Sequence, residues 1–176
     1  MFGIAQNQDC DYKIQIDTEE EIFVLTNPQL TEYLLGLERN VFIYFSLMKE
    51  GDVKSLVIQT SVNAKEIPPI LCFNKDSRVT FKLEDGSYAS LGYLGVENCG
   101  RQTENKETLH NSTSEAAFLL DELNLERLST SKIIAMRITT MQTNFDIVFQ
   151  ELISNEEIPT PIYPKEFFMN SLKCLE

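Results

Sequence analysis

Residues 78–95, RVTFKLEDGSYASLGYLG, read as a β-hairpin. Val79, Phe81 and Leu83 alternate with Thr80, Lys82 and Glu84, which puts an apolar set on one face and a polar set on the other. Asp85-Gly86 supplies the turn, because glycine reaches the backbone angles that a tight reversal needs. In the return strand Ala89, Leu91 and Tyr93 alternate with Tyr88, Ser90 and Gly92. Tyr88 and Tyr93 therefore lie on opposite faces, and a sheet covered on one side leaves one of them to solvent or to a partner. The pair forms a candidate partner surface; a ring on the core rim with a wet hydroxyl is the structural alternative.

The same alternation extends outward. Tyr12, Ile14 and Ile16 oppose Lys13, Gln15 and Asp17 in YKIQID, while VFIYFSLM (41–48) is dense enough for a central strand covered on both faces. A turn at Gly51-Asp52 leads into a strand over 53–60, and KIIAMRITT and TNFDIVF near the C-terminus form another strand pair. TNPQLTEYLLGLERN (26–40) predicts a short helix, with Asn27 as cap, Pro28 at the first position and Leu30, Leu34 and Leu37 at helical spacing. YPKEFFMNSLKCL predicts a last helix that docks Phe167, Phe168 and Leu172 on the sheet. Ser112 and Glu115 make a capping box, so residues 113–129 are either one helix or, the preferred reading, a strand through Phe118-Leu119-Leu120 followed by a short helix. Polar residues 97–114 predict a mobile loop.

These pieces give an α+β fold, mainly antiparallel sheet with two or three short helices. Residues 23–58 and 118–149 share an order of apolar triplet, cap, Leu-spaced helix, strand, turn and strand, which suggests a pseudo-duplicated strand-helix-strand-strand unit. Residues 1–10 read as a signal-peptide remnant or flexible N-terminus, and 11–176 as a single α+β domain.

A chain of 176 residues with 43% apolar content can bury one substantial core. Twenty-seven acidic residues against 15 basic ones give a formal charge of -12, a field that repels nucleic acid and anionic membranes. An acidic surface matched to a basic protein partner is the sharper reading of that charge; a merely solvated surface is the plainer one. No apolar run approaches the roughly 20 residues that span a bilayer.

Gly3 and Ala5 have the small-residue spacing of a signal-peptidase site that would leave Gln6 first, although no basic or long apolar segment stands before them. Cys10, Cys72, Cys99 and Cys174 allow three pairings. Position favours Cys72 with Cys99, which flank the hairpin, and Cys10 with Cys174 near the termini. Four reduced, buried thiols in a cytoplasmic protein are the alternative.

Chemical motifs are sparse. No phosphate-binding glycine loop and no G-x-S-x-G elbow is present, so no cofactor is expected. His110, the only imidazole, falls in the polar stretch and reads as an exposed loop residue. Glu19-Glu20-Glu21 and Glu156-Glu157 are adjacent, so their side chains diverge, and Asp9, Asp11 and Asp17 lack a calcium-loop order. Asn111-Ser112-Thr113 fits the N-x-[ST] acceptor pattern. No catalytic or metal-binding residue is assigned.

RVTFKLEDGSYASL, followed by FLLDELNLERLSTSKIIAMRI, resembles small exported bacterial domains of unknown function, in which such a hairpin precedes a helix and a Lys-Ile, Arg-Ile strand. The resemblance covers residues 79–139. It implies export and an α+β fold, and brings no catalytic residues. The functional expectation is a non-enzymatic binding or protein-interaction domain, periplasmic or secreted. A small hydrolase with carboxylates gathered from separate strands, or an acidic inhibitor or immunity-type protein, is the alternative.

Overall fold

The alternating segments become strands in a computed structural model that describes residues 10–156, 158 and 160–176. In chain order these are β1 (Tyr12–Asp17), β2 (Ile22–Thr26), β3 (Gln29–Leu35), β4 (Arg39–Glu50), β5 (Val53–Ala64), β6 (Cys72–Phe73), β7 (Arg78–Leu83) and β8 (Tyr88–Gly92). Then follow β9 (Asn98–Cys99), β10 (Arg101–Thr103), β11 (His110–Leu119), helix α1 (Glu122–Thr130), β12 (Ile133–Thr139), β13 (Asn144–Val148) and helix α2 (Phe167–Ser171). Strand makes up 52% and helix 13%, so the fold is more β-rich than the expected balance of elements.

Two antiparallel sheets face each other. The larger runs β1-β2-β4-β5-β11-β10, with β3 lying beside β2 on the same edge of β4; the smaller runs β13-β12-β7-β8. Between them sit the inward sets of both sheets, including Phe45, Leu47, Leu56, Phe118, Phe81, Leu83, Leu91 and Met136, all at most 2% exposed. α2 inserts Phe167 and Phe168 into this layer, with Phe45 edge-on to Phe167 at 5.3 Å and Phe81 edge-on to Phe168 at 5.2 Å. Edge-on rings set the positive rim of one against the negative face of the other, beyond what burial alone contributes. A bridge between Cys10 and Cys174 ties the start of the described chain to its end, and the Tyr12 hydroxyl donates to the Cys174 carbonyl at 3.1 Å.

The hairpin over 78–95 forms as read: Val79, Phe81, Leu83, Ala89 and Leu91 are buried, and Gly86 turns at φ +87°. The helix expected after Asn27 is instead β3. Edge N–H and C=O groups of β4 residues 40–45 need partners, and β3 supplies them, overriding the leucine spacing. Pro28 has no N–H and breaks the edge between β2 and β3; there the Thr26 hydroxyl accepts the N–H of Leu47 at 2.9 Å. With no helix among the described residues of the first half, the proposed strand-helix-strand-strand duplication does not hold.

Three further expectations change. The polar stretch 97–114 is largely ordered as β9, β10 and the start of β11, leaving 104–109 as its one longer segment without strand. The competing single helix over 113–129 gives way to β11 and then α1, whose cap is Asp121 accepting from Asn124 N–H at 2.8 Å. Ser112 does not cap; its hydroxyl donates to the Pro69 carbonyl at 3.0 Å. β4 is central as expected; its inner set Ile43, Phe45 and Leu47 is fully covered, while on the outer face Ser46 is buried and Tyr44 and Met48 are half-buried. Residues 1–9, with Gly3, Ala5 and Gln6 of the cleavage reading, lie outside the described residues.

Candidate functional site

Aromatic rings fill the space between the sheets at the α2 end. At the opposite end the sheets leave a groove of about 680 Å³, within the range of roughly 300–1,000 Å³ that small-ligand sites occupy. Its walls come from three parts of the chain. β3 and β4 bring Leu34, Leu35 and Val41; β5 brings Thr60 and Val62; β13 brings Phe145 and Ile147 from the other sheet. The link between β5 and β6 closes the third side with Pro69 and Leu71.

Local hydrogen bonds explain why these walls stand where they do. In β3 an extra residue, Thr31, is inserted opposite β4, so that Thr31 and Glu32 are both buried and Leu34 turns inward beside Val41. The β12–β13 turn is held by Thr140, whose hydroxyl accepts the Thr143 N–H at 3.0 Å while its own N–H reaches the Thr143 carbonyl at 2.9 Å. The β5–β6 link is pinned by Gln102 Nε2 to the Pro68 carbonyl at 2.6 Å, by Ser112 to Pro69, and by Gly100 N–H to the Leu71 carbonyl at 2.9 Å. The Cys72–Cys99 bridge then fastens β6 to β9, and Cys72 N–H donates to Gln142 Oε1 at 3.1 Å on the turn.

Two ionisable residues line the groove, Arg39 and Asp146. Arg137 donates twice to Asp146, Nε to Oδ1 and Nη2 to Oδ2, both at 2.7 Å. Those bonds hold the Asp146 carboxyl below its ordinary range and raise the guanidinium of Arg137. Arg39 has no side-chain partner among the described residues, although its neighbour Glu38 meets Lys65 at 3.3 Å. The end of β3 and the β3–β4 turn beside it expose Leu34 (52%), Leu35 (65%) and Leu37 (100%).

No family model, curated protein or solved structure matches this chain.

The residues singled out from sequence are dispersed. Tyr88 is 54% exposed on β8, with Arg127 Nη1 donating to its carbonyl at 2.8 Å. Tyr93 lies on the core rim, stacked on Phe73 at 5.8 Å and edge-on to Phe118 at 6.1 Å, with its hydroxyl donating to the Val96 carbonyl. His110 begins β11 rather than a loop, and its Nδ1 accepts the Asn105 N–H at 3.1 Å. The Asn111 amide, the acceptor of the glycosylation pattern, donates to Ser61 Oγ at 3.1 Å and Asn63 Oδ1 at 2.9 Å, so its nitrogen is already engaged. Among the described residues no group of three or more His, Cys, Asp or Glu is placed to hold a metal, and no helix is long and apolar enough to cross a membrane.

None of the groove residues stood out in sequence. Leu34 read as one side of a helix, Phe145 and Ile147 fell within the expected strand TNFDIVF, and Val62 lay beyond the strand expected over 53–60. The signal that was present is the run Leu34-Leu35-Gly36-Leu37, three leucines around a glycine next to Arg39.

Proposed function

We propose that the chain is a non-enzymatic binding domain that holds an apolar ligand in the groove between its two sheets. The observation that carries this reading is the groove itself: an apolar space left open at one end of an interior whose other end is filled by four phenylalanines, Phe45, Phe81, Phe167 and Phe168. A hydrolase gains no support from the lining, where the one carboxyl, Asp146, is engaged by Arg137. In this reading residues 11–176 act as one domain, because both sheets and α2 contribute to the same core. Two disulfides support an oxidising compartment, periplasmic or extracellular. The charge of -12 and the exposed Tyr88 favour a basic protein as a second kind of partner.

The test is titration with N-phenyl-1-naphthylamine, a neutral probe that fluoresces in apolar surroundings. Saturable binding is expected in the native chain. Leu34→Asp, at an exposed position that tolerates charge, and Val62→Phe, which fills the groove, are expected to abolish it. Binding unchanged in both variants would show that the probe sits elsewhere.

A further inference from the structure

Within that reading, the ligand's polar end can be assigned. We infer that the groove takes a single-chain anionic amphiphile, a fatty-acid-like molecule, with its tail between the sheets and its acidic head against Arg39. Two observations carry the inference independently of the total charge. The wall is apolar from Leu34 and Val41 on one sheet to Phe145 and Ile147 on the other, which suits an alkyl chain. Of the two ionisable groups in that wall, Asp146 is neutralised by a two-point bond from Arg137, whereas the Arg39 side chain has no partner among the described residues. Arg39 is thus the one cation in the groove lining, with Glu38 beside it held by Lys65 and with Glu66 on its far side. A guanidinium presents two parallel N–H groups matched to a carboxylate, and such charge-assisted bonds are stronger than neutral ones. Leu37, fully exposed in the β3–β4 turn, extends the apolar surface beyond the groove, giving a long tail further contact.

The experiment displaces bound N-phenyl-1-naphthylamine from the full, oxidised chain with decanoate, dodecanoate and 1-decanol, each below its aggregation concentration, using wild type and Arg39→Gln. Arg39 is exposed, so the variant is expected to fold as wild type does. Arg39→Gln should weaken decanoate about tenfold, as loss of a charge-assisted contact predicts. It should leave 1-decanol within about twofold, and each added methylene should tighten binding about fourfold. Equal weakening of acid and alcohol, or no weakening of either, would overturn the assignment of the head to Arg39 while leaving an apolar groove in place. If the probe binds and none of the three displaces it, the amphiphile is the wrong ligand class; if the probe itself does not bind, the groove reading falls with it.

Discussion

Buried Glu32 joins the two sheets through Gln150. Its carboxyl accepts the Gln150 backbone N–H at 3.0 Å and the Gln150 side-chain amide at 2.5 Å, and also the N–H of its neighbour Tyr33 at 2.9 Å. Glu32 stands two residues before Leu34 in β3, and Gln150 three residues after Ile147, so the clamp lies next to both walls of the groove. Glu32→Ala strands three N–H donors, and about 2–4 kcal/mol of stability should be lost. Gln150→Ala should cost less. A double-mutant cycle by urea unfolding should return a coupling of about 1 kcal/mol or more, and additive effects would show that the clamp does not act as a unit.

The two disulfides should separate in their consequences. Cys10–Cys174 spans 164 residues and Cys72–Cys99 spans 27, so replacing the first pair by serines should cost about 4–5 kcal/mol and the second about 3–4 on chain-entropy grounds. Only the second fastens the wall that carries Leu71 and Gln142. Probe affinity should therefore fall in Cys72→Ser/Cys99→Ser and hold in Cys10→Ser/Cys174→Ser, measured where each variant is still folded.

Acid should weaken the fold through identifiable pairs. The carboxyls of Asp146 and Glu166 are lowered by hydrogen bonds from Arg137 and Lys132, and that of Asp85 by bonds from Ser87. A lowered native pKa means that the unfolded chain binds more protons, so these contributions are present above the ordinary carboxyl range and are lost as pH falls through the native values. Melting temperature followed from pH 6 to pH 3 should drop less steeply in Asp146→Asn than in wild type. Parallel curves would remove the Arg137 pair from the account.

Gly100 has a spatial reason to be glycine. A Cβ there would press on the Thr113 carbonyl and come within 3.0 Å of the Ser114 Cβ, where β9 gives way to β10. Gly100→Ala should cost about 1–3 kcal/mol and raise hydrogen exchange at the substituted position and in β10. Unchanged exchange would show that the strand shifts without strain.

Much of the fold was legible because strands with one buried face announce themselves by alternation, as β7 and β8 do; β1 alternates in the same way although Ile14 and Ile16 stay exposed. β3 was not, since Leu30, Leu34 and Leu37 satisfy a helical spacing and the choice between helix and strand rests on the open edge of β4, a partner distant from any local rule. The bulge at Thr31 hid it further by placing consecutive residues inside. Short strands β9 and β10 were hidden by polar sequence because their stability comes from the Cys72–Cys99 bridge and from pairing with β11. The groove was illegible for another reason. A residue that lines a gap and one that fills a core have the same character, and only the spacing of two sheets tells them apart.

The most direct test is an amide NMR titration of the oxidised chain with dodecanoate. The account predicts saturable shifts confined to residues around Leu34, Arg39, Val41, Val62, Leu71, Phe145 and Ile147, with little change at Tyr88 or on the outer face near Gln59 and Glu115. Shifts centred on that outer face, or no saturable shifts at all, would contradict it.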